Sequence, residues 1–146
     1  MRLPHDAVVL VADGRKMLFL RNEGDSVSPN LVVEHAEEQA NPKDSDQKSD
    51  APGLSYSSVG SGRSTMDEVD FHQQAEDRFA ADAGAILQRR ALANEFESLI
   101  VIAPPRMLGE LRKLYHGEVS SRLIGELDKD LTRHPIPEIE SAIMTA

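Results

Sequence analysis

Arg106 stands in "APPRMLGELRK", where the aliphatic run Leu99–Ile102 breaks on two prolines and passes straight into helical spacing. Pro104 and Pro105 cannot donate to a sheet ladder, so pairing should end there, yet proline suits the first turn of a helix. The N–H groups of Arg106, Met107 and Leu108 would then face outward at the positive end of a helix dipole. With the Arg106 guanidinium beside them they could bind an anion such as phosphate. A rigid corner, with Arg106 bridging to a neighbouring carboxylate, accounts for the same residues without a ligand. No glycine-rich cradle precedes this helix, which argues against a nucleoside triphosphate site.

Acidic chemistry is suggested by Asp13, Asp128 and Asp130, each at or just past the end of an expected strand. Three carboxylates on one sheet edge could hold divalent metals for phosphoester hydrolysis. That chemistry needs further acids on the other central strand or its adjoining helix, and that strand ends in "APP". The long helix offers Glu76, Asp77 and Asp82, beside or opposite its apolar stripe. The simpler expectation pairs Asp128 and Asp130 with Arg106, Lys129 or Arg133. No metal or other cofactor is expected.

Other motifs are weaker. "VGSGRST" (Val59–Thr65) has Arg63 where a phosphate loop needs lysine and Ser57 where it needs glycine. It also lacks the third glycine of a dinucleotide fingerprint, and a flexible linker explains it. His5, His35, His72, His116 and His134 show no ligand spacing, and no serine sits in a nucleophile elbow. His72 falls beside the apolar stripe of the long helix. Arg78, Arg89 and Arg90 share that helix and form either a basic ridge or a solvated face.

The elements that must position these residues follow from periodicity. Ala7–Asp13 reads as a buried strand, "GRK" (Gly14–Lys16) as a turn, and Met17–Leu20 as the returning arm of a hairpin. Leu31–Val33 reads as a third, shorter strand. From Glu37 to about Asp67 the chain turns to Pro, Gly, Ser, Asp and Lys, a flexible loop of roughly 30 residues by composition. Phe71, Ala75, Phe79, Ala83, Leu87 and Ala91 then recur every four residues, with Ile86 widening the stripe. Asp70 and Gln73 resemble a capping box at its start. Leu99–Ile102 is a strand covered on both faces, Met107–Tyr115 a helix, Arg122–Asp128 a short strand and Ile136–Met144 a terminal helix. The order β-β-β-α-β-α-β-α places three strands antiparallel and adds two in parallel through helical crossovers. This is an α/β, ribonuclease-H-like mixed sheet with helices on its faces, in a single domain over residues 1–146.

Composition narrows the setting. The 146 residues contain no cysteine, which excludes disulfide scaffolds, thiolate metal sites and cysteine nucleophiles and suits the cytoplasm. Only 4% are aromatic, so the core should be aliphatic. The apolar run Ala7–Ala12 is too short for a bilayer and lacks a cleavage site, so no membrane partner is expected. A formal charge of −9 opposes generic nucleic-acid affinity. Six acids against two lysines between Glu34 and Asp50 carry much of it, leaving room for a basic face elsewhere.

"VLVADGRKMLFLRNEGD", "DAPGLSYSSVGSGRSTMDEVDFHQQAEDRFA" and "LIVIAPPRMLGELRKLYHGEVSSRLIGELDKDLTRHPIPEIE" together resemble the bacterial host attachment protein family. "APPRMLGELRK" followed by "DKDLT" carries most of that likeness. The resemblance implies a part in attachment to host cells. That family in turn resembles the middle domain of archaeal and eukaryotic peptide-chain release factors, in which a Gly-Gly-Gln loop precedes a long basic helix. The matching place is "GSGRST", with Gly60, Gly62 and Arg63 before the long helix and no glutamine. In those factors the loop promotes peptidyl-tRNA hydrolysis; with the glutamine missing here, contact with RNA or the ribosome is expected without catalysis, and the residues assigned to it are Arg63, Ser64, His72, Arg78, Arg106 and Lys129. A metal-dependent hydrolase and a direct adhesion factor are the competing readings.

Overall fold

A computed structural model describes residues 1–39 and 65–146. Its strands are β1 (Val8–Ala12), β2 (Lys16–Asn22), β3 (Leu31–Glu38), β4 (Leu99–Ala103) and β5 (Leu123–Asp128). Its helices are α1 (Thr65–Leu92), α2 (Pro105–Leu114), α3 (Gly117–Ser120) and α4 (Ile136–Thr145). The sheet order is β3-β2-β1-β4-β5. β1–β2 and β2–β3 pair antiparallel, whereas β1–β4 and β4–β5 pair parallel. This is the mixed sheet expected from the element order, and it is compatible with a ribonuclease-H-like arrangement.

Every residue of β1 and β4 is buried, which is why neither strand alternates polar with apolar residues. Their side chains divide by the two-residue period of a strand. Val8, Leu10, Leu99 and Val101 pack with Phe79, Ala83 and Leu87 of α1 and Leu108 and Leu111 of α2. Val9, Val11, Ile100 and Ile102 pack on the opposite face with Leu3, Ile139 and Ile143. The core is aliphatic, as the composition requires.

Four details differ from the sequence reading. β3 runs eight residues to Glu38, well past Val33, with Met17 opposite Glu37 and Lys16 opposite Glu38. As an edge strand it needs only a backbone partner on one side, so polar side chains do not stop it. α1 begins at Thr65, so Asp70 lies inside the helix and not at its start; Gln73 donates to Asp77 at 2.7 Å. Phe71, the expected head of the stripe, is 40% exposed. α3 was not anticipated; His116 caps it by accepting the Glu118 N–H at 3.0 Å, and Val119 is buried. The flexible loop expected over residues 37–67 lies, between 40 and 64, outside the described residues.

Arg90 belongs to the interior rather than to a basic ridge, for it is only 8% exposed. It donates to Glu34 at 2.6 Å and Glu95 at 3.2 Å and lies 5.6 Å over the Phe19 ring. Arg21 donates to the other Glu34 oxygen at 2.8 Å. Burial would raise the Glu34 pKa, but the hydrogen bonds from Arg21 and Arg90 outweigh it and hold the carboxyl below its ordinary 4.5. This cluster ties the C-terminal end of α1 to β2 and β3.

Two outcomes follow. Ile100→Ala should destabilise the protein by about 2–5 kcal/mol in denaturant unfolding, whereas the surface change Ile124→Ala should stay within about 0.5 kcal/mol. A depressed carboxyl pKa stabilises the fold above the unfolded-state value and loses that effect as pH falls through the folded-state value. Glu34→Gln should therefore lower Tm at neutral pH, and the gap from the parent should close as the pH is taken below 4.5.

Candidate functional site

The carboxyl ends of β1 and β4 open into a cleft of about 340 Å3. The β1–β2 turn supplies Asp13, Gly14 and Arg15, and the β4–α2 corner supplies Pro104, Arg106 and Met107. α1 crosses above with Gln73, Glu76 and Asp77, while Glu110 of α2 and Asp130 beyond β5 complete the wall. Ligands of open α/β sheets commonly sit outside the carboxyl ends of parallel strands.

Asp13 is first a turn-former. Its Oδ1 accepts the backbone N–H groups of Arg15 at 2.8 Å and Lys16 at 2.7 Å. Its Oδ2 accepts the hydroxyl proton of Thr132, at 2.8 Å. Thr132 Oγ1 also stands 3.3 Å from Asp130 Oδ1, and its single proton serves the shorter contact with Asp13. Thr132 is buried, so this hydroxyl bolts the β1–β2 turn to the segment between β5 and α4. A Cβ on Gly14 would come within 2.6 Å of the Glu76 Cδ, so the flexible Glu76 side chain would have to swing aside.

The helix start at Arg106 differs in one respect from the sequence reading. Pro104 is the N-cap, with no side-chain cap, and its carbonyl already accepts the Leu108 N–H at 2.9 Å. The outward N–H groups are therefore those of Arg106 and Met107. Arg106 is exposed at the cleft, and among the described residues its side chain has neither an ion-pair nor a hydrogen-bond partner. The expected pairings of Asp128 and Asp130 with Arg106, Lys129 or Arg133 do not form. Asp130 faces Thr132, and Arg133 is 4.0 Å from Glu38. Asp128 is exposed at the end of β5, opposite Ala103. Its nearest influence is on Arg112, whose pKa is raised chiefly by the hydrogen bonds to Glu126 and only slightly by Asp128.

Of the residues singled out in the sequence, the fold gathers Asp13, Asp130, Arg106, Glu76 and Asp77 at one cleft. His72 is half-buried on α1, while Arg78 and Lys129 are exposed, and none of the three lines it. Arg63 and Ser64 lie outside the described residues. The sequence reading missed Arg15, Glu110 and Thr132 as site residues. "DGRK" after a buried strand and the terminal threonine of "DKDLT" were the available signals. Among the described residues, no group of three or more His, Asp or Glu side chains is placed to hold a metal ion. Among them, too, no helix is long and apolar enough to cross a membrane.

Residues 6–143 match the family described as bacterial archaeo-eukaryotic release factor family 12. The match begins just before β1 and ends within the last turn of α4. No curated protein matches the chain.

The buried hydroxyl gives this region a stability test. Thr132→Val keeps the side-chain shape but leaves Asp13 Oδ2 without its donor, and should lower stability by about 1–3 kcal/mol. Thr132→Ser, which keeps the hydroxyl, should recover a large part of that loss in the same urea titration.

Proposed function

We propose that this chain, which belongs to bacterial archaeo-eukaryotic release factor family 12, is a small translation-related binding module that contacts RNA or the ribosome without catalysis. The family match over residues 6–143 is the observation that carries the reading. A cytoplasmic location goes with it, and attachment to host cells is then an indirect consequence.

The physical support is local. A chain of net charge −9 can approach phosphates only where cations are presented without competing internal partners. Arg106 meets that condition at the start of α2, with the helix dipole adding to its field. Arg78 and Lys129 are exposed cations, and Arg63 and Ser64 immediately precede α1 in sequence. Contacts of this kind position a nucleic acid without reading its sequence. The hydrolase alternative asks for Asp13, Asp128 and Asp130 with further acids on the long helix; Asp13, Asp130, Glu76 and Asp77 line the cleft, Asp128 does not, and among the described residues no such group is placed to hold a metal ion.

Arg106→Ala and Arg63→Ala, measured separately against single-stranded RNA and purified ribosomes, test the reading. Arg106→Ala should fold with stability within about 0.5 kcal/mol of the parent, because it breaks no pair among the described residues. Each variant should bind more weakly, and each lost phosphate contact should flatten the log–log salt slope by about 0.7. Unchanged binding by both variants at low salt would overturn the proposal.

A further inference from the structure

Three of the seven charged side chains of the cleft already have donors. Asp13 accepts two backbone N–H groups and the Thr132 hydroxyl. Asp77 accepts from Gln73 at 2.7 Å and Glu110 from Lys113 at 3.1 Å. What remains is sharply defined. Among the described residues, Arg15 and Arg106 have no side-chain acceptor, and Glu76 and Asp130 have no donor, Thr132 giving its one proton to Asp13, although all four line the same space.

Two guanidiniums beside two carboxylates without donors select against simple ions. A bare anion meets Glu76 and Asp130, and a bare cation meets both arginines. The complementary ligand carries one anionic group and, beside it, neutral hydroxyls that donate to a carboxylate. Guanidinium forks fit a phosphate, and an acidic side chain accepting from ribose hydroxyls is a recurring way to hold a nucleotide. The volume of about 340 Å3 lies near the lower end of the range for small-molecule sites, enough for one such unit. Gly14 supports the assignment independently: a Cβ there would lie 2.5 Å from Glu76 Oε1, so the missing side chain is what lets the carboxylate lie across the turn.

We infer that the cleft binds a single 5′-phosphorylated ribonucleoside with a free 2′,3′-diol, its phosphate on Arg15 and Arg106 and its diol on Glu76. This inference rests on the RNA-contact reading in sharing Arg106, and it names the chemical unit taken there. The same unit occurs as a free nucleoside 5′-monophosphate and as the 3′-terminal nucleotide of an RNA strand.

Calorimetric titration of the full chain with adenosine 5′-monophosphate and its 2′,3′-dideoxy analogue tests the first source. A short RNA ending in a 3′ diol, against the same RNA ending in a 3′ phosphate, tests the second. Loss of the diol should weaken binding by about tenfold or more. Glu76→Gln should erase that preference while leaving the dideoxy analogue bound as well as before, or better, because repulsion of the phosphate is relieved. Gly14→Ala, which displaces the same carboxylate, should erase the preference without touching Glu76 itself, and Arg106→Ala should weaken every ligand. Diol-dependent binding of the free nucleotide or of the RNA end supports the inference and identifies the source. Equal affinity with and without the diol, or no binding of either probe, overturns it. RNA binding that ignores the 3′ end but still falls in Arg106→Ala would overturn this inference and leave the RNA-contact reading standing. Diol-dependent nucleotide binding without RNA or ribosome binding would do the reverse.

Discussion

The parallel pairing of β1 with β4 is the constraint on which the rest of the molecule depends. Both strands are buried along their whole length, Val8 to Val11 in register with Leu99 to Ile102. A strand buried on both faces is stable only if each face is covered, and a parallel partner needs a long crossover. α1 supplies the crossover and, with α2, one cover. α4 and the residues around Leu3 supply the other. The three-layer arrangement follows from these two requirements.

Parallel pairing also brings two strand ends out on the same edge. β1 leaves through a turn organised by Asp13, and β4 leaves through Pro104 into α2, so a cleft between them is the geometric result. α1 spans the molecule from that cleft to the opposite rim. Near its C-terminal end Arg90 is gripped by Glu34 and Glu95 over the Phe19 ring. Toward its other end Glu76 rests on Gly14. The Arg90 cluster and the apolar stripe together fix the rotation of α1, and hence which side chains reach the cleft.

Charge sorting within the cleft distinguishes groups that hold the fold from groups left for a partner. Asp13 and Thr132 spend their hydrogen-bonding capacity on joining two loops, and a buried hydroxyl needs such a partner. Arg106 has no equivalent obligation. Its exposure, beside the uncapped start of α2, makes it the point where a structural corner and a phosphate contact coincide. The small chemical differences between these neighbours matter more for binding than the overall charge of −9.

Periodicity in the sequence was sufficient for β1, β4, the body of α1, α2 and α4, because burial on one face or two leaves a repeat of two or 3.6 residues that local reading detects. It was also sufficient for the sense of pairing, three strands antiparallel and two added in parallel, since short hairpin links and helical crossovers leave few ways to arrange five strands. The extent of β3 was hidden because an edge strand is held by backbone bonds that carry no side-chain signature. The start of α1 was hidden because Asp70 and Gln73 mimic a cap that the continuing helix does not use. Arg90 reads as a surface charge until Glu34, 56 residues away, is folded against it. Asp13 and Thr132 are 119 residues apart, and nothing in the spacing of either announces the other. The sequence by itself determined that there are five strands and three long helices, and roughly where they lie, since those are short-range consequences of burial. Which carboxylates and guanidiniums share a cleft, and which of them remain without partners, was decided only by tertiary packing, because pairing depends on distances in space that sequence separation does not encode.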